Sequence, residues 1–251
     1  MPRGSRRSVS PDVVVSNGDE NGVRNAVSDT PMDTLSALRI FHTKTRIRAV
    51  LPAADYWESV LLMDAEQLSA ICREVVDLQG LSILVFSLDR IKGSYAVTSA
   101  LLGILCEVTC NDDRSGKIMV DLGAVNEILS IAKGSPDHAK ISERAISILL
   151  NLNINEDSLD AVIGDDVIDY CKDVTKRFPD NMTIQSVSAR YFAEMSKLFN
   201  EKDRLIDKEV DKVLLDAFHV FRGKEEYSYE QDILEESLER LFSKKKARSK
   251  K

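Results

Sequence analysis

Asp121-Leu122-Gly123-Ala124-Val125-Asn126-Glu127-Ile128-Leu129-Ser130-Ile131-Ala132 and, after a polar gap, Glu143-Arg144-Ala145-Ile146-Ser147-Ile148-Leu149-Leu150-Asn151-Leu152 together decide how this chain folds. A glycine-marked turn opens one apolar helix, and a second, longer one follows. In the second helix Ala145, Ile148, Leu149 and Leu152 share one face, which turns Arg144, Ser147 and Asn151 away from it.

The pattern recurs on both sides. Val76-Asp77-Leu78-Gln79-Gly80-Leu81 returns 44 residues later as Val120-Asp121-Leu122-Gly123-Ala124-Val125, and Lys92-Gly93-Ser94 returns as Lys133-Gly134-Ser135. A small residue, Ala100, Ala145 or Ala189, opens each long apolar helix, at spacings of 45 and 44. Each such helix runs into an Asn-acid pair, Asn111-Asp112, Asn155-Glu156 or Asn200-Glu201, as expected where a helix gives way to a polar turn. Breaks are expected near Gly123, Gly164 and Asp207.

A period of this length, holding a short helix, a turn and two longer helices, resembles armadillo and HEAT-type repeats. The stretch Asp121–Ala132 followed by Glu143–Leu152 is similar to the armadillo turn, second helix and third helix in that order. The resemblance covers about residues 65–220 and implies an all-α fold, a short right-handed α-solenoid with disordered tails. Residues 35–63 are expected to form an N-terminal flank, with Ile233, Leu234, Leu238, Leu241 and Phe242 on a C-terminal capping helix. A single helical hairpin cannot bury its apolar faces, so neighbouring units must stack. A compact bundle of six to eight helices without a true repeat is the competing architecture.

Composition agrees with the helical reading. With 251 residues and 43% apolar content the chain can bury one continuous core, and 11 Gly and 6 Pro are few for such a length. The expected organisation is a tail over 1–33, a repeat domain over 34–242 and a basic tail over 243–251. A net charge of −7 argues against a grip on nucleic acid as the main task, because phosphate binding needs a basic face. No stretch approaches the roughly 18 apolar residues of a membrane span, so no membrane contact is expected. Four cysteines set within helical patterns, together with a charged N-terminus, point to a cytoplasmic or nuclear protein. The sequon Asn181-Met182-Thr183 then has no use.

Nothing local marks an enzyme. Cys106 and Cys110 are four apart on one helix, but zinc needs about four ligands and no further pair lies nearby; they read as small core residues. His42, His138 and His219 are isolated, and phosphate loops and hydrolase signatures are missing. No cofactor, no metal and no catalysis are expected. Asp165, Asp169 and Asp173 form an acidic stripe on one helix, where like charges repel by a few tenths of a kcal/mol, and a solvated face accounts for it. Arg6-Arg7-Ser8-Val9-Ser10-Pro11 resembles a kinase site at Ser10. Lys244, Lys245, Lys246, Arg248, Lys250 and Lys251 have the density of a nuclear-import signal or an anion-binding tail.

The resemblance also implies where partners dock. In armadillo proteins the third helices line a concave groove, and peptide-binding members carry Asn and Trp there at fixed positions. Here Asn151 holds the Asn position, Cys106 and Met195 stand at the equivalent places, and Ser147 replaces the Trp, a departure that argues against that mode of capture. The expected partner-binding surface is Arg144, Ser147 and Asn151, joined by Tyr191 and Met195 as their counterparts in the next unit. The function implied is an adaptor or regulator that binds another protein or a peptide. The alternative is a nucleic-acid- or chromatin-associated factor that contacts phosphates through its basic C-terminal tail.

Overall fold

The computed structural model describes residues 32–44, 47–90, 93–154, 158–198 and 202–243. Ser10, Lys92, Asn155, Glu156, Asn200, Glu201 and the basic run from Lys244 to Lys251 lie outside the described residues, as do most of the expected N-terminal tail and the structural state of both tails.

Among the described residues there are fourteen α-helices and no strand. Two open the chain, α1 (Thr34–Thr43) and α2 (Ile47–Val60); four units of three helices follow. They are α3 (Ala65–Asp77), α4 (Gly80–Arg90) and α5 (Tyr95–Asn111), then α6 (Ser115–Asp121), α7 (Ala124–Lys133) and α8 (Ala139–Ile154). Next come α9 (Leu159–Val162), α10 (Asp165–Arg177) and α11 (Met182–Ser196), and last α12 (Lys202–Asp207), α13 (Val210–Phe221) and α14 (Ser228–Phe242). The expected C-terminal cap is therefore the third helix of a fourth unit. Ahead of α1, Met32 packs against the core, and the Asp33 carboxylate accepts from Ser36 N and caps the helix. Pro52 lies inside α2 rather than in its first turn, and the helix continues through it.

Stacking is read from which helices touch. Along the row of third helices, α5 packs between α2 and α8, α8 between α5 and α11, and α11 between α8 and α14. Along the row of second helices, α4 lies between α1 and α7. The third helices are sandwiched on both sides, so α5 and α8 are apolar around most of their circumference: Leu101, Leu102, Ile104 and Leu105 on α5, and Ile146, Ile148, Leu149 and Leu152 on α8, are all fully buried or nearly so.

The turns before α4, α7 and α13 share one backbone shape, seen at the sequence anchor Gly123, whereas Gly164 before α10 is extended at φ −64°. Gly123 has φ +69°, a left-handed conformation that glycine adopts without steric cost. Gln79 and Glu209 occupy the same place before α4 and α13 at φ +56° and +58°, so the matched motifs share a backbone shape even where glycine is absent. Side-chain caps begin other helices: Asp64 accepts from Gln67 N at 2.9 Å and Asn181 from Ile184 N at 3.1 Å.

Candidate functional site

The row of third helices carries the residues expected to bind partners, and most of them are spent on the fold. Arg144 lies across α5, its Nη1 donating to Glu58 Oε1 at 2.8 Å, to Ser99 Oγ at 2.9 Å and to Ser99 O. The Asn151 amide donates to Cys106 O and to Thr109 Oγ1, both at 3.1 Å, and Ser147 Oγ donates to Glu143 O. These three are half-buried and stitch α8 to its own turns and to α5.

Tyr191 and Met195 require a correction. Both are fully buried, and the Tyr191 hydroxyl donates to Val162 O at 2.7 Å. The helices start at Ala139 and Met182, one residue closer than the spacing between Ala145 and Ala189 suggests. One residue on a helix is a rotation of about 100°, enough to turn an outward position inward. The partly exposed positions Arg144, Ser147 and Asn151 are matched on α11 by Val187, Arg190 and Glu194. Arg190 lies over the Tyr229 ring at 5.9 Å.

The cysteines follow burial rather than chemistry. Cys72 and Cys171 are buried, Cys106 is half-buried and Cys110 is exposed, so the expectation that Cys106 and Cys110 are both core residues fails for Cys110. Desolvation, reinforced by Glu107, pushes the Cys72 and Cys106 thiols up to about 12, and desolvation raises Cys171 further. Because the thiolate is the reactive form, iodoacetamide at neutral pH should label Cys110 first and leave Cys72 and Cys171 protected until unfolding. Peptide mapping of the labelled chain reads this directly; prompt labelling of Cys171 would contradict the packing of α10. Among the described residues no three His, Cys, Asp or Glu side chains gather where they could hold a metal ion, and no helix is long and apolar enough to cross a membrane.

The acidic stripe on α10 is neutralised by the next unit. Arg204 on α12 pairs with Asp165 at 2.6 Å, and Lys208 lies 3.3 Å from Asp165 and 2.7 Å from Asp169. Hydrogen bonds from Arg204 and Lys208 hold the Asp165 carboxyl below its ordinary value. Two of the three aspartates therefore join repeats.

A different surface stands open on the side of the second helices. Two hollows of about 290 and 250 Å³ adjoin at Ser82 on α4. The first is lined by Val76, Gln79, Leu81, Ser82, Ile118 and Leu122, the second by His42, Ser82, Ile83, Phe86, Ser87 and Arg90. Phe86 is 54% exposed and Leu78, on the turn leading to α4, 38%. The groove leaves little trace in the sequence, because its apolar residues fall within the helical periodicity that also builds the core; the faint signal is Leu78 and Phe86, apolar yet exposed.

No family model matches the sequence, and no curated protein matches it. Among solved structures, a designed armadillo repeat protein, YIII(Dq)4CqI, superimposes with a TM-score of 0.66 at 12% identity over 82% of this chain and 81% of its own. The fold is armadillo-like. An engineered protein, target OR329, superimposes with a TM-score of 0.56 at 16% identity, covering 85% of this chain and 93% of its own. A designed armadillo repeat protein in complex with the peptide (KR)4 gives a TM-score of 0.50 at 12% identity over 82% of this chain.

Proposed function

We propose that this chain is a non-catalytic protein-binding module, an adaptor or regulator, and that it docks partners in the groove along α4. The observation that carries this reading is the pair of adjoining hollows, one of them lined by the exposed Phe86. Isolated exposed apolar residues are ordinary on a protein surface, whereas an aromatic beside a preformed concavity is the usual setting of a binding hot spot. The third-helix face is the weaker candidate, because Arg144 and Asn151 already satisfy their donors within the fold. The (KR)4 complex of a designed armadillo repeat protein supports binding as a use of this architecture, without assigning the surface.

The test compares the two faces in the full chain. Phe86→Glu should remove partners recovered from cells, weakening their affinity by at least tenfold, about 1.4 kcal/mol, while changing stability by no more than about 0.5 kcal/mol, as expected at an exposed position. Ser147→Glu should leave the same partners in place. Partners retained by Phe86→Glu and lost with Ser147→Glu would move the docking surface to the third helices. The run Lys244, Lys245, Lys246, Arg248, Lys250 and Lys251 is proposed to act separately as an import signal; a fluorescent fusion should leave the nucleus when these residues become alanine.

A further inference from the structure

We infer that the groove along α4 takes an acidic, apolar peptide segment of another protein. Such a segment would place one apolar side chain in the hollow over Ile118 and Leu122, a second against Phe86, and a carboxylate between His42 and Arg90. The inference rests on the groove being a docking site and adds the chemistry of what docks.

The two ends of the groove differ in a way that selects a ligand. The hollow at Val76, Ile118 and Leu122 offers only the Gln79 and Ser82 side chains as polar lining. Its neighbour, across Ser82, combines Ile83 and Phe86 with His42 and Arg90, the titratable side chains that line either hollow among the described residues. The chain as a whole carries a net charge of −7, so a rim of this sign runs against its general character. Arg90 makes no ion pair among the described residues, and Asp89 beside it is engaged in a contact of its own.

Desolvation then decides the partner's chemistry. A purely apolar segment laid over Phe86 would strip water from the Arg90 guanidinium and return nothing, and burying an unpaired charge is strongly unfavourable. A carboxylate can meet the guanidinium through two parallel hydrogen bonds and restore what the water supplied. A basic segment would meet repulsion at the same end. The arrangement therefore favours Asp or Glu next to apolar residues and rejects Lys or Arg there.

A random dodecapeptide library displayed on phage, selected on the full chain and counter-selected on Phe86→Glu, tests both levels. The Phe86-dependent peptides should share apolar residues flanked by Asp or Glu. One of them, synthesised with a fluorophore, should bind Arg90→Glu at least tenfold more weakly by anisotropy, and a peptide with its acid changed to Lys should bind Arg90→Glu better than it binds the unaltered chain. Phe86-dependent peptides without acidic residues, or with affinity unchanged in Arg90→Glu, would overturn the acidic chemistry while keeping the groove. A library yielding no Phe86-dependent binder would overturn the groove itself. Sedimentation showing a self-associated chain that Phe86→Glu renders monomeric would overturn the inference by assigning the groove to a second copy.

Discussion

Replacing Tyr191 by alanine should destabilise the chain by about 3–5 kcal/mol, the range for deleting a buried aromatic side chain. Tyr191 is fully buried, its ring lies 5.2 Å from Phe192 in an edge-on arrangement, and its hydroxyl reaches the Val162 carbonyl at 2.7 Å. The bond ties the third helix of the third unit to the short α9, which has only four residues. Two effects add: a cavity between α11 and its neighbours, and a buried carbonyl left without its donor. Tyr191→Phe isolates the second and should cost about 1–2 kcal/mol, since the ring stays and the hydroxyl no longer donates to Val162 O. Urea unfolding of the three proteins measures both steps. A Tyr191→Ala protein as stable as the parent would restore the outward register that the sequence spacing implies.

That register shows how much of the architecture the sequence reveals and where it stops. The glycine-marked turn at Gly123 and the apolar face of Ala145, Ile148, Leu149 and Leu152 are as the spacing implies, because buried apolar periodicity and turn geometry act locally and leave local traces. Ala100, Ala145 and Ala189, expected to open their helices, lie instead well inside α5, α8 and α11. The unit length is not constant, however, and a shift of one residue passes unnoticed in a helix apolar over most of its surface. Tyr191 and Met195 fall on the wrong face for that reason, whereas Arg190 and Glu194, the polar residues immediately before each of them, mark the partly exposed face. Hydrogen bonding hid the rest: Asn151 and Arg144 read as free polar side chains until the neighbouring helix supplies Cys106 O, Thr109 and Ser99. Lys208 and Arg204, likewise, are distant in sequence from the aspartates they neutralise. The groove along α4 depends on the packing of α1, α3, α4 and α6, and no single helix carries its signature.

The contact most exposed to a single change is the crossing of Arg144 over α5. A Cβ on Gly103 would stand 2.8 Å from Arg144 Cζ and Nη1 and 2.6 Å from Leu61 Cδ1, so any larger residue there forces the ends of the Arg144 and Leu61 side chains to shift. Glycine within a helix ordinarily costs about 1 kcal/mol relative to alanine; here that cost is offset by the bonds Arg144 makes to Ser99 and to Glu58 on α2, which join α2, α5 and α8. Hydrogen bonds to charged groups contribute about 1.5–3 kcal/mol, and forcing extra volume into a packed site costs about 1–3 kcal/mol. Gly103→Val should therefore destabilise by about 3 kcal/mol, losing the Arg144 contacts and crowding Leu61 together. Gly103→Ala should destabilise less, because helix propensity recovers about 1 kcal/mol. The decisive measurement is the cycle with Arg144→Ala: once the guanidinium is gone, Leu61 offers only the end of a flexible side chain, and Gly103→Ala should become neutral or stabilising. A Gly103→Ala effect of the same sign and size in both backgrounds would show that Arg144 does not depend on the gap, and that the glycine is kept for its contact with Leu61 alone.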